Sequence, residues 1–167
     1  MDRNGQLVLV TGAAGGIGSA TCRAFLSAGF TVAGVDVSPR VSEAPAPGEY
    51  TGLVADVRDL AAVREAVATL ALPVSHLVTC AGIALLAETT NDAGQGLPDV
   101  DTFRESVELN LTTHYVTLAA VWPQLRDGAG SRSVSFASSV NALQGFGLAA
   151  YSAAKAGLIG LVHALVG

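Results

Sequence analysis

Apolar and polar positions fall in blocks along the 167-residue chain, and the blocks switch period as they go. "LVLVTG" (7–12) is a short run of branched apolar residues ending in glycine, the pattern of a buried strand. A helix is predicted over 16–28, with apolar Ile17, Ala20, Ala24 and Leu26 and a stop at Gly29. "TVAGVD" (31–36) is the second predicted strand. The loop after it, "SPRVSEAPAPGEY" (38–50), carries three prolines and reads as neither helix nor central strand. "TGLVAD" (51–56), "SHLVTCAG" (75–82) and "SRSVSFASS" (131–139) are further strands, and "LAAVREAVATLAL" (60–72) is a helix. The irregular stretch 88–101 reads as a surface loop. A long helix is predicted over 102–122, opened by a capping box at "TFRE" with Glu105 three residues past Thr102 and ended or kinked by Pro123. Its apolar stripe is read as Phe103, Val107, Leu111 and Leu118. The last helix begins near Tyr151. Near-continuous apolar strands alternating with helices predict an α/β fold, a doubly wound parallel sheet with helices on both faces, as one domain over 1–167.

Composition narrows the function. Half the residues are apolar and 14% are charged, enough for a real core at this length. Net charge is −5 and the nine basic residues are scattered, so no basic stripe suggests nucleic-acid binding. No run approaches the roughly 18 uninterrupted apolar residues of a spanning helix, and no signal-like segment opens the chain. No membrane partner and a cytoplasmic location are expected. Cys22 and Cys80 lack metal or disulfide spacing and read as buried, inert thiols. His76, His114 and His163 do not suggest a metal site either.

"TGAAGGIG" (11–18) sits between the first strand and the first helix. Glycines there allow a tight turn and a close approach of backbone to a pyrophosphate, and the helix N-terminus offers free N–H groups. Gly12, Gly16 and Gly18 set the TGxxxGxG spacing, with Ala14, Gly15 and Ile17 completing the loop. Asp36 ends the second strand, where a carboxylate accepts hydrogen bonds from a ribose and repels a 2′-phosphate, favouring NAD over NADP. Taken alone, Asp36 is also consistent with an ordinary strand-end aspartate; the glycine loop upstream favours the cofactor reading.

Tyr151 and Lys155 are four apart, so on a helix they share a face. An ammonium beside a phenol favours the tyrosinate and suits the tyrosine to acid–base work near neutral pH. The spacing alone is common. Lys155, however, is the one lysine in the chain, every other basic chain being arginine. Asn110 is a poor helix-interior residue placed in a predicted helix, a local violation of the kind that marks function.

Together these segments resemble the classical short-chain dehydrogenase/reductase family. "TGAAGGIG", Asp36, "ADV" (55–57), "CAG" (80–82), "ELNL" (108–111), "SFASS" (135–139) and "YSAAK" (151–155) occur in its order and spacing. The resemblance implies a Rossmann fold and an NAD(H)-dependent oxidoreductase that interconverts a secondary alcohol and a ketone. It implies that Tyr151 is the general acid/base, that Lys155 holds the nicotinamide ribose, and that Ser138 (Ser139 being the weaker candidate) binds the substrate oxygen. Asn110 would hold a water of the proton relay. Asp56 and Val57 would border the adenine, while Cys80, Ala81 and Gly82 line the cofactor. A homodimer or homotetramer is implied as well.

Two departures stand out. The family's "NNAG" is "TCAG" here, with Thr79 and Cys80 in place of both asparagines. Family members also continue past the last helix with a substrate-covering segment and further strands, so the chain reads as C-terminally short. "AGLIGLVHALVG" is apolar nearly all round and is expected to be buried, against a partner if not within the chain. A member that binds cofactor or a partner subunit without turnover is therefore the alternative, and one piece of a longer chain is another.

Overall fold

The computed structural model describes residues 5–85, 97–144 and 147–166. These fall into two compact units. The first comprises the chain through Ala81 together with His114–Phe136; the second comprises Gly82–Thr113 and the chain from Ala137 onward.

The first unit holds a five-stranded sheet: β1 (Leu7–Thr11), β2 (Thr31–Asp36), β3 (Tyr50–Val54), β4 (Val74–Thr79) and β5 (Ser133–Phe136). The strands are parallel and ordered β3-β2-β1-β4-β5, so the fold is the doubly wound, Rossmann-like sheet flanked by helices that the pattern predicts. β1 is central and buried at all five positions, which is why its apolar run does not alternate. Leu9 pairs with Ala33 on one side and Leu77 on the other. Helix α1 (Gly16–Ser27) turns Cys22 and Leu26 into a cluster with Val8, Val10, Val32 and Val41. The predicted α1 stripe needs correction: Ile17 is 69% exposed, and Ala20 and Ala24 are exposed too. The inward face is Gly18, Cys22 and Leu26 instead, because the tight approach at Gly18 sets the helix rotation.

The proline-rich loop is more ordered than its composition suggests. Pro39–Ser42 forms a 3₁₀ turn capped by the Ser38 side chain, with proline at the position where a missing N–H costs nothing. Val41 is buried, and its carbonyl accepts from Tyr50 Oη at 2.8 Å. Helix α2 (Leu60–Ala68) is capped by Asp59, which accepts from the Ala61 and Ala62 amides. It stops at Ala68, four residues before the predicted end at 72, with Thr69 as its C-cap and the Thr69 hydroxyl donating to the Ala66 carbonyl at 2.7 Å.

In the second unit, helix α3 (Val100–Val107) leads into a π-helical turn at Glu108–Thr112. Its cap is Asp99, whose carboxylate accepts from the Thr102 amide at 2.8 Å and its hydroxyl at 3.1 Å; the capping box predicted at Thr102 does not form. The loop predicted over 88–101 lies outside the described residues as far as 96. Helix α4 (Thr113–Asp127) continues through Pro123 rather than ending there. Within the first unit, Gln124 Oε1 accepts from the Val74 amide at 2.6 Å, anchoring the α4 segment beyond the proline to β4. The stripe read along this helical stretch also changes: Phe103 is 41% exposed, while Ser106, Asn110, Thr113, His114, Thr117 and Leu118 are buried. Leu118 is buried as expected, but from Ser106 to Thr117 the buried positions are polar, which an apolar periodicity search cannot find.

Helix α5 (Ala149–Val166) begins two residues ahead of Tyr151. It buries Ala150, Ala154, Lys155 and Leu158, whereas Val162 and Val166 are 40% and 79% exposed. The all-round burial expected from its sequence is therefore absent within this chain. By length and composition alone its 18 residues, of mean hydropathy 1.4, suffice to cross a membrane, a test that core helices also pass; the averaged measure tolerates the polar residues that interrupt the run.

Candidate active site

The carboxyl ends of β1 and β4 mark the point where strand order reverses, the usual ligand crevice of an open α/β sheet. Gly12 takes a left-handed φ of 66° there, and a Cβ on it would lie 2.8 Å from the Ala81 nitrogen. Gly18 brings α1 against the turn: a Cβ on it would lie 2.6 Å from the Gly12 carbonyl carbon. No larger residue fits either place. The loop amides divide into two sets. Those of Ala13, Ala14 and Gly15 are taken by Val35 O, Asp36 Oδ2 and Gly12 O at 3.3, 3.1 and 3.0 Å. The first-turn amides of Gly16, Ile17 and Gly18 receive no side-chain cap, and the first turn of α1 carries no acidic residue. A Cβ on Gly16 would meet nothing within 4 Å. That is a cradle suited to a phosphate group, and the residues present fit a dinucleotide.

Asp36 uses both carboxylate oxygens on backbone, Oδ2 on the Ala14 amide and Oδ1 on the Ser38 amide at 2.9 Å. Asp56 is held by Arg58, whose Nη2 and Nε donate at 2.5 and 2.9 Å. These bonds hold its carboxyl below the ordinary aspartate value. Val57 is buried beside it. Neither the Ala14–Asp36 bond nor the Arg58 clamp was visible in the sequence.

The "TCAG" departure has a structural account in this unit. Thr79 is fully buried, and its Oγ1 shares a 2.6 Å hydrogen bond with His114 Nδ1. Ala81 N donates to Thr11 Oγ1 at 3.3 Å. Thr79 thus links β4 to α4 with a hydroxyl. Cys22 is buried as expected, whereas Cys80 is only partly buried, packed against the core cluster that contains Cys22. Burial first, and the Cys80 thiol second, push Cys22 up to about 11, which fits an inert thiol.

Asn110, Ser138, Tyr151 and Lys155 all fall in the second unit, together with Gly82. Lys155 is 4% exposed; its Nζ donates to Ala137 O at 2.9 Å and stands 5.8 Å from the Tyr151 ring centroid. Gly82 has φ 149°, and a Cβ on it would lie 2.7 Å from Asn110 Oδ1 and 3.3 Å from Lys155 Nζ. Asn110 and Lys155 therefore meet at a residue that must be glycine, and the Tyr151 ring lies beside the lysine. Ser138 Oγ donates to the Lys155 carbonyl at 2.9 Å, tying the serine to α5. Ser139 instead accepts from the Asn141 amide at 3.2 Å and caps the 3₁₀ turn Val140–Ala142.

Asn110 sits in the π turn and is fully buried. Its Oδ1 accepts from Ile83 N at 3.0 Å; its Nδ2 donates to Ile83 O at 2.8 Å and Ser106 O at 3.0 Å. The amide is thus a clamp on the segment after β4, and a widened helical turn at a functional position is a recurrent device. The partners at Ile83, Ser106 and Ala137 are backbone groups, for which sequence carries no signal. Among the described residues, no group of three metal-ligating side chains comes together.

Comparison with known proteins identifies the family and the fold. A family model described as short chain dehydrogenase matches residues 6–166. The D-threitol dehydrogenase of Mycolicibacterium smegmatis is 31% identical over 171 residues, covering 97% of this chain and 64% of that protein. A crystal structure of an oxidoreductase of the short chain dehydrogenase/reductase family from Burkholderia thailandensis superposes with a TM-score of 0.83 at 33% identity, over 97% of this chain and 62% of that one. A 3-oxoacyl-acyl-carrier-protein reductase with bound NAD from Brucella melitensis gives a TM-score of 0.81 at 28% identity, over 93% and 62%. The chain spans less than two thirds of the length of each of these relatives.

Proposed function

Because this chain belongs to the short-chain dehydrogenase family, we propose that it is an NAD(H)-dependent oxidoreductase interconverting a secondary alcohol and a ketone. The observation that carries the reading is Lys155 Nζ, set beside the Tyr151 ring and meeting Asn110 at Gly82. The related D-threitol dehydrogenase acts by name on a polyol and the Brucella reductase on a 3-oxo group, so the shared chemistry is carbinol–carbonyl exchange, without a common substrate.

When bound, the nicotinamide supplies or accepts the hydride. The chain's own residues supply the rest. The first-turn amides of Gly16, Ile17 and Gly18 hold the pyrophosphate, with Ala14 and Gly15 shaping the turn. Asp36 accepts from the adenosine ribose and repels a 2′-phosphate, favouring NAD over NADP. Asp56 and Val57 flank the adenine, while Cys80, Ala81 and Gly82 offer backbone. Tyr151 Oη gives a proton to, or takes one from, the substrate oxygen. Lys155 places a positive charge beside that ring and reaches the nicotinamide ribose. Ser138 hydrogen-bonds the substrate oxygen after turning its hydroxyl away from the Lys155 carbonyl. Asn110 has committed its side-chain amide to backbone, so its part in a water-linked relay falls to its own main chain. A cytoplasmic homo-oligomer, with exposed Phe103 and Val162 at its contacts, completes the proposal.

The test is thermal stabilisation of the chain by NADH and by NADPH. A site filled at 100 times its Kd stabilises the fold by about 2.7 kcal/mol. A shift with NADH alone, followed by alcohol-dependent turnover that Tyr151→Phe abolishes, supports the proposal. The alternative is a cofactor-binding or partner subunit without turnover. A shift with NADH but no turnover across an alcohol and ketone panel would select it; no shift with either cofactor would reject the dinucleotide site.

A further inference from the structure

The glycine turn does not hold its shape by glycine alone. Beyond Gly12, two consecutive amides are tied to the end of β2: Ala13 N to Val35 O and Ala14 N to Asp36 Oδ2. Ala13 also lies directly over Gly34, where a Cβ would come within 2.7 Å of the alanine methyl. The second oxygen of the same carboxylate takes the Ser38 amide, whose hydroxyl in turn accepts from the Arg40 amide at 3.4 Å. One side chain therefore joins the turn after β1 to the turn after β2, across 22 residues of sequence. Amides 13–15 are thereby turned inward, and those of 16–18 are left at the helix N-terminus.

We propose that Asp36 is a positioning residue for the glycine turn, shaping it before any cofactor binds and apart from any contact with a ribose. The inference rests on the proposed dinucleotide site, but its ordering component stands without it. Two effects of Asp36 then have opposite sign. Its negative charge opposes the 2′-phosphate that NADPH alone carries, so by charge alone its removal strengthens binding of NADPH. Its hydrogen bonds preorganise the amides that meet the pyrophosphate, so by preorganisation its removal weakens binding of NADH and NADPH alike. An amide-to-carboxylate bond is charge-assisted and among the stronger kinds, and the second effect prevails.

The variants are Asp36→Ala, which removes both acceptors, and Asp36→Asn, which keeps one oxygen and places an NH₂ where the other stood. In the cofactor-free chain, amide hydrogen exchange at Ala14 should be about tenfold faster in Asp36→Ala, matching loss of one charge-assisted hydrogen bond. Asp36→Asn should fall between, and serves alone should Asp36→Ala not fold. NADH affinity should fall by roughly tenfold or more in Asp36→Ala, with no gain for NADPH. Unchanged exchange at Ala14, or NADPH bound more tightly by Asp36→Ala than by the parent chain, overturns the proposal. Should the parent chain bind neither cofactor, the dinucleotide reading fails, while the exchange measurement still decides whether Asp36 orders the turn.

Discussion

Replacing Asn110 separates a structural clamp from a purely chemical role. The side chain is fully buried and makes three hydrogen bonds, to Ile83 N, Ile83 O and Ser106 O. Truncation to alanine removes all three bonds, and each buried polar group left unsatisfied by that costs about 1–3 kcal/mol. The Ile83 side chain is 61% exposed, so water can rescue part of that loss, and the net for Asn110→Ala is about 2–4 kcal/mol. For a chain of this size that corresponds to a fall in Tm of roughly 4–16 °C. Asn110→Asp is the sharper variant. Its carboxylate can still accept from Ile83 N, but it faces two carbonyl oxygens to which it cannot donate while ionised. It should be less stable than Asn110→Ala at neutral pH and recover part of the difference on acidification, when a protonated carboxyl can donate one bond. The assay is urea unfolding of the three proteins without cofactor at pH 7 and pH 5. If Asn110→Ala unfolds within about 0.5 kcal/mol of the parent, the clamp is not energetically real and the π turn needs another explanation.

Other consequences follow from the same geometry. A Cβ on Gly52 would collide with the Val41 carbonyl, so Gly52→Ala should destabilise by about 1–3 kcal/mol in denaturant unfolding. Asp59→Ala removes the acceptor for two amides at the start of α2 and should cost about 0.5–2 kcal/mol. His76 is lowered from 6.5, by burial first and by Arg132 second, with Ser133 Oγ 2.8 Å from its Nδ1 and Phe30 edge-on. Below pH 6.5 the unfolded imidazole takes up a proton that the folded one resists, so His76 costs stability as pH falls until the folded group also titrates. Chemical unfolding between pH 7.5 and 5 should show that slope flattened in His76→Gln. Cys22, pushed up to about 11, should resist iodoacetamide at pH 8 in the folded chain and react once unfolded, as peptide mass mapping can show.

The sheet was legible in the sequence because parallel strands buried on both faces keep mostly apolar runs: Leu7–Val10 in β1, Val32–Val35 in β2 and Leu77–Val78 in β4. The glycine turn and the tyrosine–lysine pair were legible for a related reason: each demands particular residue types at fixed spacing. Boundaries were not. α2 ends short at Thr69 and α3 begins early at Asp99 because caps are local choices of single residues. The long helical stretch misled most, since the first half of its inward face is polar: Ser106, Asn110, Thr113 and His114 are buried where a search for apolar period expects leucine.

That failure identifies what arranges the candidate site. A polar residue can be buried at little cost only if its hydrogen bonds are met, and here the partners are largely main-chain atoms. Asn110 meets Ile83 and Ser106, Lys155 meets Ala137, Ser138 meets the Lys155 carbonyl, and Asp36 meets Ala14 and Ser38. A side chain that grips backbone fixes a segment whatever residues occupy it. The neighbouring residues are then constrained by shape alone, as Gly82 is between Asn110 and Lys155. The polar residues that the sequence marked for chemistry are thus also the ones that hold the local backbone. A variant of any of them should change stability before cofactor or substrate is added, so loss of turnover alone cannot assign a catalytic role.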